Sequence, residues 1–241
     1  GQSWKNIEEP HAVNFVAEKN MVSEVSRFRE RSGIEPYLFH SSSSEVFGGH
    51  LESPQDESLE FAPITPYGEH KAQAHLLLRE ARRSEELRIG IAILYNHESP
   101  RRPDHFVSRR VSKGVAKISL GLADRLKLGS LQSRRDWGFA GDYVRAMWLM
   151  AERSKSEDYV IATGESRSVG DLVKVAFEAA GIARWREHVE LTRSLFRPID
   201  PTDLVGDSSK ALGQLGWAPK KTFSEMIYEM VHSDINSLRL N

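Results

Sequence analysis

The chain has no cysteine in its 241 residues, which excludes a disulfide scaffold, a thiolate zinc site and a cysteine nucleophile. It has no apolar run long enough to span a bilayer and no signal-peptide pattern, so the cytosol is the default expectation. Charge of one sign is also missing. Lys+Arg 33 against Asp+Glu 34 gives a formal net charge of −1 and a sequence pI of about 6.8, which leaves no field for nucleic acid or an anionic membrane. The nine His form no HExxH or other ligand spacing, so no metal site is expected. No GxxGxxG or GxGxxG occurs. Gly48-Gly49 and the Gly138/Gly141 pair do not follow a strand and open a helix, as a pyrophosphate loop must.

What is present suffices for a sizeable core. At 39% hydrophobic and 28% charged, the chain fits one domain, or one domain and a lobe. The periodicity predicts a helix over Val13 to Arg31, ended by Ser32-Gly33, and a strand near Tyr37 to Ser41. A loop rich in Gly, Pro, Ser and acids follows at 48–63. Pro66 then opens a helix running to about Arg83. Leu87 to Tyr95 is nearly all apolar, as a strand covered on both faces should be. Strand, helix, strand at this spacing is a βαβ unit.

Beyond Pro100 the pattern is helix-rich. Helices are expected at Phe106–Leu120, at Asp142–Met150 with Asp142 as N-cap, and from a Ser168 cap to Ala180. Ser208–Leu215 and Phe223–Leu238 close the chain, with short strands at Tyr159–Ala162 and Val189–Leu191. The charged stretch Arg79 to Arg88 reads as a wet helix end.

The chemistry concentrates in two stretches. Ser43-Ser44-Glu45 follows an apolar run, Pro36 to His40, as a buried parallel strand ends at a ligand crevice. Tyr67 and Lys71, four apart on one helix, share a face. A cation there is expected to lower the phenol pKa. Such a phenol can take a proton from a sugar hydroxyl while hydride leaves the same carbon for a nicotinamide. Glu45 adds a base, which permits chemistry beyond plain oxidation. YxxxK by itself is weak, since a solvated Lys and a half-buried Tyr produce the same pattern.

The run Asn96-His97-Glu98-Ser99-Pro100-Arg101-Arg102 is more specific. Together with Arg134-Arg135-Asp136-Trp137-Gly138 and Arg197-Pro198, it resembles the GDP-mannose 4,6-dehydratases, extended short-chain dehydrogenases. The resemblance covers essentially the whole chain, from Gln2-Ser3 to Glu229-Met230-Val231-His232. It implies an α/β, Rossmann-like parallel sheet with a smaller helix-rich C-terminal substrate lobe. Residues 1–100 would be the C-terminal part of a dinucleotide-binding domain carrying the catalytic residues. Residues 101–241 would be mostly the nucleotide-sugar lobe, with some segments returning to the sheet domain.

Roles are implied position by position. Tyr67 would transfer the proton, Lys71 would bind the nicotinamide ribose, and Glu45 would remove the sugar C5 proton. Ser43 stands where the family usually has Thr and keeps the hydroxyl. His97 and Arg102 match positions contacting NADP. Asn96, Arg109, Arg135 and Arg197 match positions holding GDP-mannose, and Asp200 replaces a Glu on the GDP ribose. A homo-oligomer, dimer or tetramer, is implied too.

Blander readings stand beside these. Arg134 and Arg135 could be a solvated pair, His97 a capped loop histidine, and Trp137 core or interface packing. Arg101 and Arg102 sit between Pro100 and Pro103, which stiffen their loop. The absent glycine loop implies that the first strand–helix units are missing, leaving an apolar sheet edge open. Two alternatives stay in view: a related nucleotide-sugar reductase or epimerase, and a non-catalytic binding subunit, which the absent glycine loop favours. Glu45 disfavours the first. The joint presence of Ser43, Glu45, Tyr67 and Lys71 disfavours the second, because binding alone does not require all four.

Overall fold

The computed structural model describes residues 11–195 and 204–240. A π-helical turn, Ala12–Val16, runs straight into helix α1, Ala17–Ser32. Gly33 stops the helix at φ 66°, a left-handed conformation that glycine adopts without steric cost. Strand β1, Tyr37–Ser43, follows, then helix α2, Pro66–Ser84, and strand β2, Arg88–Leu94. Thr65 caps α2, its Oγ1 accepting from the Gly68 amide at 3.0 Å, and Pro66 occupies the first turn, where a missing N–H costs nothing.

β1 and β2 pair in parallel from Tyr37↔Arg88 to Ser43↔Leu94. On its other side β2 pairs in parallel with β6, Asp158–Ile161, giving the sheet order β1-β2-β6. The central strand is buried from Ile89 to Leu94, which is why it reads as an unbroken apolar run rather than an alternation. β1 is an outer strand, and among the described residues nothing pairs with its far side. Val13, Met21 and Phe28 of the first helical segment, and Ile34 after it, are exposed.

Short strands organise the rest. β3, Asn96–Glu98, pairs in parallel with β5, Arg134–Phe139, which pairs antiparallel with β7, Ser166–Ser168. β4, Leu126–Leu128, pairs in parallel with β8, Val189–Leu191. The remaining helices are α3, Val107–Ser119; α4, Ala140–Glu152; α5, Val169–Ala179; α6, Ser209–Leu215; and α7, Phe223–Arg239. Ser168 caps α5 as expected, in a reciprocal box with Asp171.

The architecture is α/β, with two main apolar cores. One joins β2 and β6 to α4 and α6 through Ile93, Tyr95, Tyr143, Tyr159 and Trp217. The other joins α3, α5 and α7 through Val111, Val115, Leu172, Phe177, Met230 and Val231. Trp137 is 3% exposed and belongs to this second core, in agreement with its packing role.

Two expectations are corrected. Asp142 is not the N-cap of α4, which begins at Ala140 with Phe139 as cap. Its carboxylate accepts instead from the Lys220 and Lys221 amides, at 2.9 and 3.0 Å, and so clamps the loop leading to α7. Nor is the end of α2 wholly wet. Arg79 and Arg82 turn inward to Asp158 on β6, at 2.5 and 2.9 Å, while Arg83 stays exposed with Glu80.

Candidate active site

At the C-terminal end of β1 the chain turns through a 3-10 helix, Ser44–Phe47, capped by Ser43. The Ser43 hydroxyl accepts from the Glu45 amide at 3.3 Å. This cap fixes where Glu45 leaves the strand. The Glu45 carboxylate receives the Thr65 hydroxyl at 2.7 Å. Thr65 therefore ties the start of α2 to the end of β1. Gly68 lets the two meet: a Cβ there would lie 2.6 Å from the Glu45 carbonyl oxygen.

That close approach brings Tyr67 to Ser43. The half-buried phenol shares a hydrogen bond with the Ser43 side chain and feels the charges of Glu45 and Arg102. Its pKa is raised: burial disfavours the phenolate most, Glu45 adds to this, and the Ser43 bond and Arg102 oppose it. The expected lowering of the phenol by Lys71 is thus not what this geometry produces. The cation felt at the phenol is Arg102.

Lys71 lies one turn along α2. Its Nζ donates to the Ser41 carbonyl at 2.9 Å. Burial lowers its pKa, and the Glu18 carboxylate opposes that shift. An ammonium has three donors, so this one bond leaves capacity for a diol. The Tyr67–Lys71 face therefore fits the ribose end of a dinucleotide in its donor set.

Arg102 is held rather than loose. Its Nε pairs with Glu98 at 3.2 Å, and its guanidinium lies 3.5 Å from the centroid of the Phe106 ring. Glu98 is itself buried and receives the Ser108 hydroxyl at 2.6 Å. Burial raises the Glu98 pKa, with Arg102 and Ser108 opposing. The sequence pointed to prolines as the stiffening element; the structure adds an ion pair and a ring.

His97 shares a hydrogen bond with the Tyr95 carbonyl through Nδ1 at 2.9 Å and leans on the Tyr143 ring, 5.1 Å between centroids. Its pKa is lowered, by burial first and also by Arg102, while the bond to the Tyr95 carbonyl opposes the shift. Asn96 starts β3 and pairs with Trp137.

The structure therefore brings Ser43, Glu45, Tyr67 and Arg102 together, with Lys71 and His97 adjoining. Arg109 pairs with Asp234 and, at 3.7 Å, with Asp104. Arg135 lies on β5 opposite Arg167 of β7. Arg197 and Asp200 fall outside the described residues. A separate cleft of about 470 Å³ is lined by Thr163, Arg167, Lys174, Lys220 and Phe223, and by none of these site residues. Thr65, Glu98 and Phe106 were not singled out from the sequence. Thr65 could have been, since Thr before Pro at a helix start is a capping signature.

The sequence model of the family described as GDP-mannose 4,6 dehydratase matches residues 1–230. GDP-mannose 4,6 dehydratase 1 of Arabidopsis thaliana is 43% identical over 197 residues, 82% of this chain and 54% of that protein. The GDP-mannose 4,6 dehydratase of Homo sapiens is 40% identical over 220 residues, 85% of this chain and 59% of that one. The chain spans about half the length of the curated relatives it matches. Among solved structures, RMD from Pseudomonas aeruginosa complexed with NADPH is similar in fold. Its TM-score is 0.86 at 20% identity, covering 98% of this chain and 77% of that one. UDP-glucose 4-epimerase from Thermotoga maritima gives a TM-score of 0.84 at 22% identity, covering 98% and 74%.

Proposed function

The chain belongs to the GDP-mannose 4,6-dehydratase family, and from that premise we propose that it carries the catalytic residues for dehydrating GDP-D-mannose to GDP-4-keto-6-deoxy-D-mannose. The observation that carries this reading is the convergence of a phenol, a hydroxyl and a carboxylate at one strand end. Tyr67 shares a hydrogen bond with Ser43, and Glu45 stands beside both, held by Thr65.

Tyr67 takes the proton of the sugar O4 and Ser43 holds the same oxygen. The raised pKa favours the protonated phenol, so removal of the O4 proton needs the phenolate form. The C4 ketone acidifies C5–H. Glu45 takes that proton, and water leaves from C6. A nicotinamide cofactor, when bound, would supply the hydride chemistry, taking hydride from C4 and giving it back at C6 as C5 regains a proton. Lys71 binds its ribose, with His97 and Arg102 beside it, and NADP is the cofactor proposed. Asn96, Arg109, Arg135, Arg197 and Asp200 are assigned to the GDP-sugar. Residues 1–100 then contribute the catalytic part of the sheet domain, and 101–241 mostly the substrate lobe. Cytosolic location and a homo-oligomer belong to the same reading.

GDP-mannose carrying deuterium at C4 tests it. Incubation with the polypeptide and NADP should give a product lighter by one water, with the deuterium now at C6. Net consumption of NADPH, or a product that keeps the mass of GDP-mannose, would favour a reductase or an epimerase instead.

A further inference from the structure

The loop between β3 and α3 is flanked by a buried carboxylate that the proposed chemistry does not use. Glu98 closes β3, where it pairs with Phe139 of β5, and it is only 2% exposed. Its Oε2 receives the Ser108 hydroxyl at 2.6 Å and faces Arg102 Nε at 3.2 Å. Ser108 sits in the first turn of α3 and is itself buried. The Arg102 guanidinium lies 3.5 Å from the ring centroid of Phe106, the cap residue of the same helix. Phe106 packs in turn on His105, 4.3 Å between centroids. Arg102 is thus gripped from the strand before its loop and from the helix after it.

We propose that Glu98 is a positioning residue for Arg102: fixed by Ser108, its carboxylate holds the guanidinium by Nε against Phe106 and leaves the terminal nitrogens for the cofactor. The inference rests on the cofactor role given to Arg102 in the proposed function and adds to it the residue that aims it.

A guanidinium is planar, so two contacts of different kinds define it. The ring of Phe106 sets its plane, and the carboxylate at Nε sets its direction within that plane. Either contact alone would let it turn. Among the described residues no hydrogen bond engages the terminal nitrogens, and the side chain is 19% exposed. Ordering a long side chain on binding weakens affinity, and here that ordering precedes the ligand. The backbone helps, since the Arg102 amide donates to the Ser99 carbonyl at 3.0 Å. A purely structural staple between β3 and α3 needs only an oxygen to accept the Ser108 hydroxyl, which a neutral amide also supplies. The charge of Glu98 is costly to bury without a cation, and Arg102 is the cation that meets it.

The test reads Arg102 directly in the 241-residue chain, by NMR of isotope-labelled arginine, with Arg102→Lys assigning the Nε–H signal. That proton should exchange slowly with water in the parent. Glu98→Gln keeps size and an oxygen for Ser108 but removes the charge at Nε. Exchange should quicken roughly 10–100-fold, as for the loss of one charge-assisted contact, while the backbone amides of α3 keep their parental rates. Ser108→Ala, which frees the carboxylate, should quicken Arg102 by less, and it decides the matter where Glu98→Gln does not fold. Unchanged exchange at Arg102, or a quickening shared equally by the α3 amides, overturns the proposal. NADP added to the same samples should move the Arg102 signal, with half-saturation at about tenfold higher concentration in Glu98→Gln. Parental NADP affinity in that variant, with the Arg102 signal still moving, also overturns it. A signal that Glu98 controls but NADP does not move upholds the hold of Glu98 on Arg102 and removes the cofactor role that the proposed function gives Arg102.

Discussion

Thr65 and Glu45, twenty positions apart, are joined by one hydrogen bond of 2.7 Å in which the hydroxyl donates to Glu45 Oε2. The same oxygen of Thr65 accepts from the Gly68 amide. A single side chain therefore caps α2 and aims the carboxylate that we assign as the base.

Replacing either partner separates the two duties. Glu45→Gln keeps size and removes the base. It should cut elimination by about 10²–10⁴-fold, the span for a positioned base, with GDP-mannose affinity little changed. Thr65→Ala removes a cap and should lower unfolding stability by about 0.5–2 kcal/mol in urea melts, with a smaller loss of elimination. Parental turnover in Glu45→Gln would remove its assigned role.

The redox pair is read in a single turnover. Tyr67→Phe loses the proton acceptor, and Lys71→Met loses the ribose-binding ammonium. Both should abolish the transient absorbance of reduced nicotinamide. Cofactor reduction by Tyr67→Phe at the parental rate would show that another group takes the O4 proton.

Nucleotide selectivity should rest on Arg135 and Arg197. Losing one charge-assisted contact costs about 1.5–3 kcal/mol, so either Ala variant should bind GDP roughly 10–100-fold more weakly by calorimetry. UDP and dTDP should bind poorly to the parent. Equal affinity for all three nucleotides would mean that the site does not select guanine.

Asp158 should govern acid stability. Burial works against its charge, but the His75 hydrogen bond and the charges of His75, Arg82 and Arg79 win, and its carboxyl lies well below the usual value of 3.8. A carboxylate depressed in the folded state contributes stability that is fully present above the unfolded pKa. That contribution is lost as pH falls below about 3.8, towards the lower folded value. Asp158→Asn should cost about 1.5–3 kcal/mol at pH 7, the span for hydrogen bonds to a charged group. It should also flatten the acid limb of a stability–pH curve. A limb as steep as the parent's would assign acid sensitivity to other groups.

Much of this arrangement was legible in the residues. Unbroken apolarity placed β2, and the capping signatures at Pro66 and Ser168 placed α2 and α5. Tyr67 and Lys71 fell on one helix because a turn of helix brings i and i+4 together. What was not legible depended on partners distant in sequence. Arg79 and Arg82 look like surface charges until Asp158 arrives from β6. Asp142 looks like a cap because an acid in the first turn stands only three residues from the cap position. Three-residue strands such as β3, β4 and β7 are too short to show an alternation. The pKa of Tyr67 could not be foreseen either. It depends on how deeply the phenol sits and on Arg102, thirty-five positions away.

His75 has a further consequence. Its Nδ1 meets Ser42 on β1 and its Nε2 meets Asp158 on β6, both at 3.0 Å, with the imidazole fully buried. These are the two outer strands of the sheet, so the imidazole bridges them over β2. Detaching either outer strand would strand a buried ring nitrogen and its former partner without a bond, a penalty of about 1–3 kcal/mol per group. The rims of this sheet are thereby coupled in their opening. Amide protons near Ser42 and near Asp158 should exchange with solvent as one cooperative unit, although no backbone bond connects their strands.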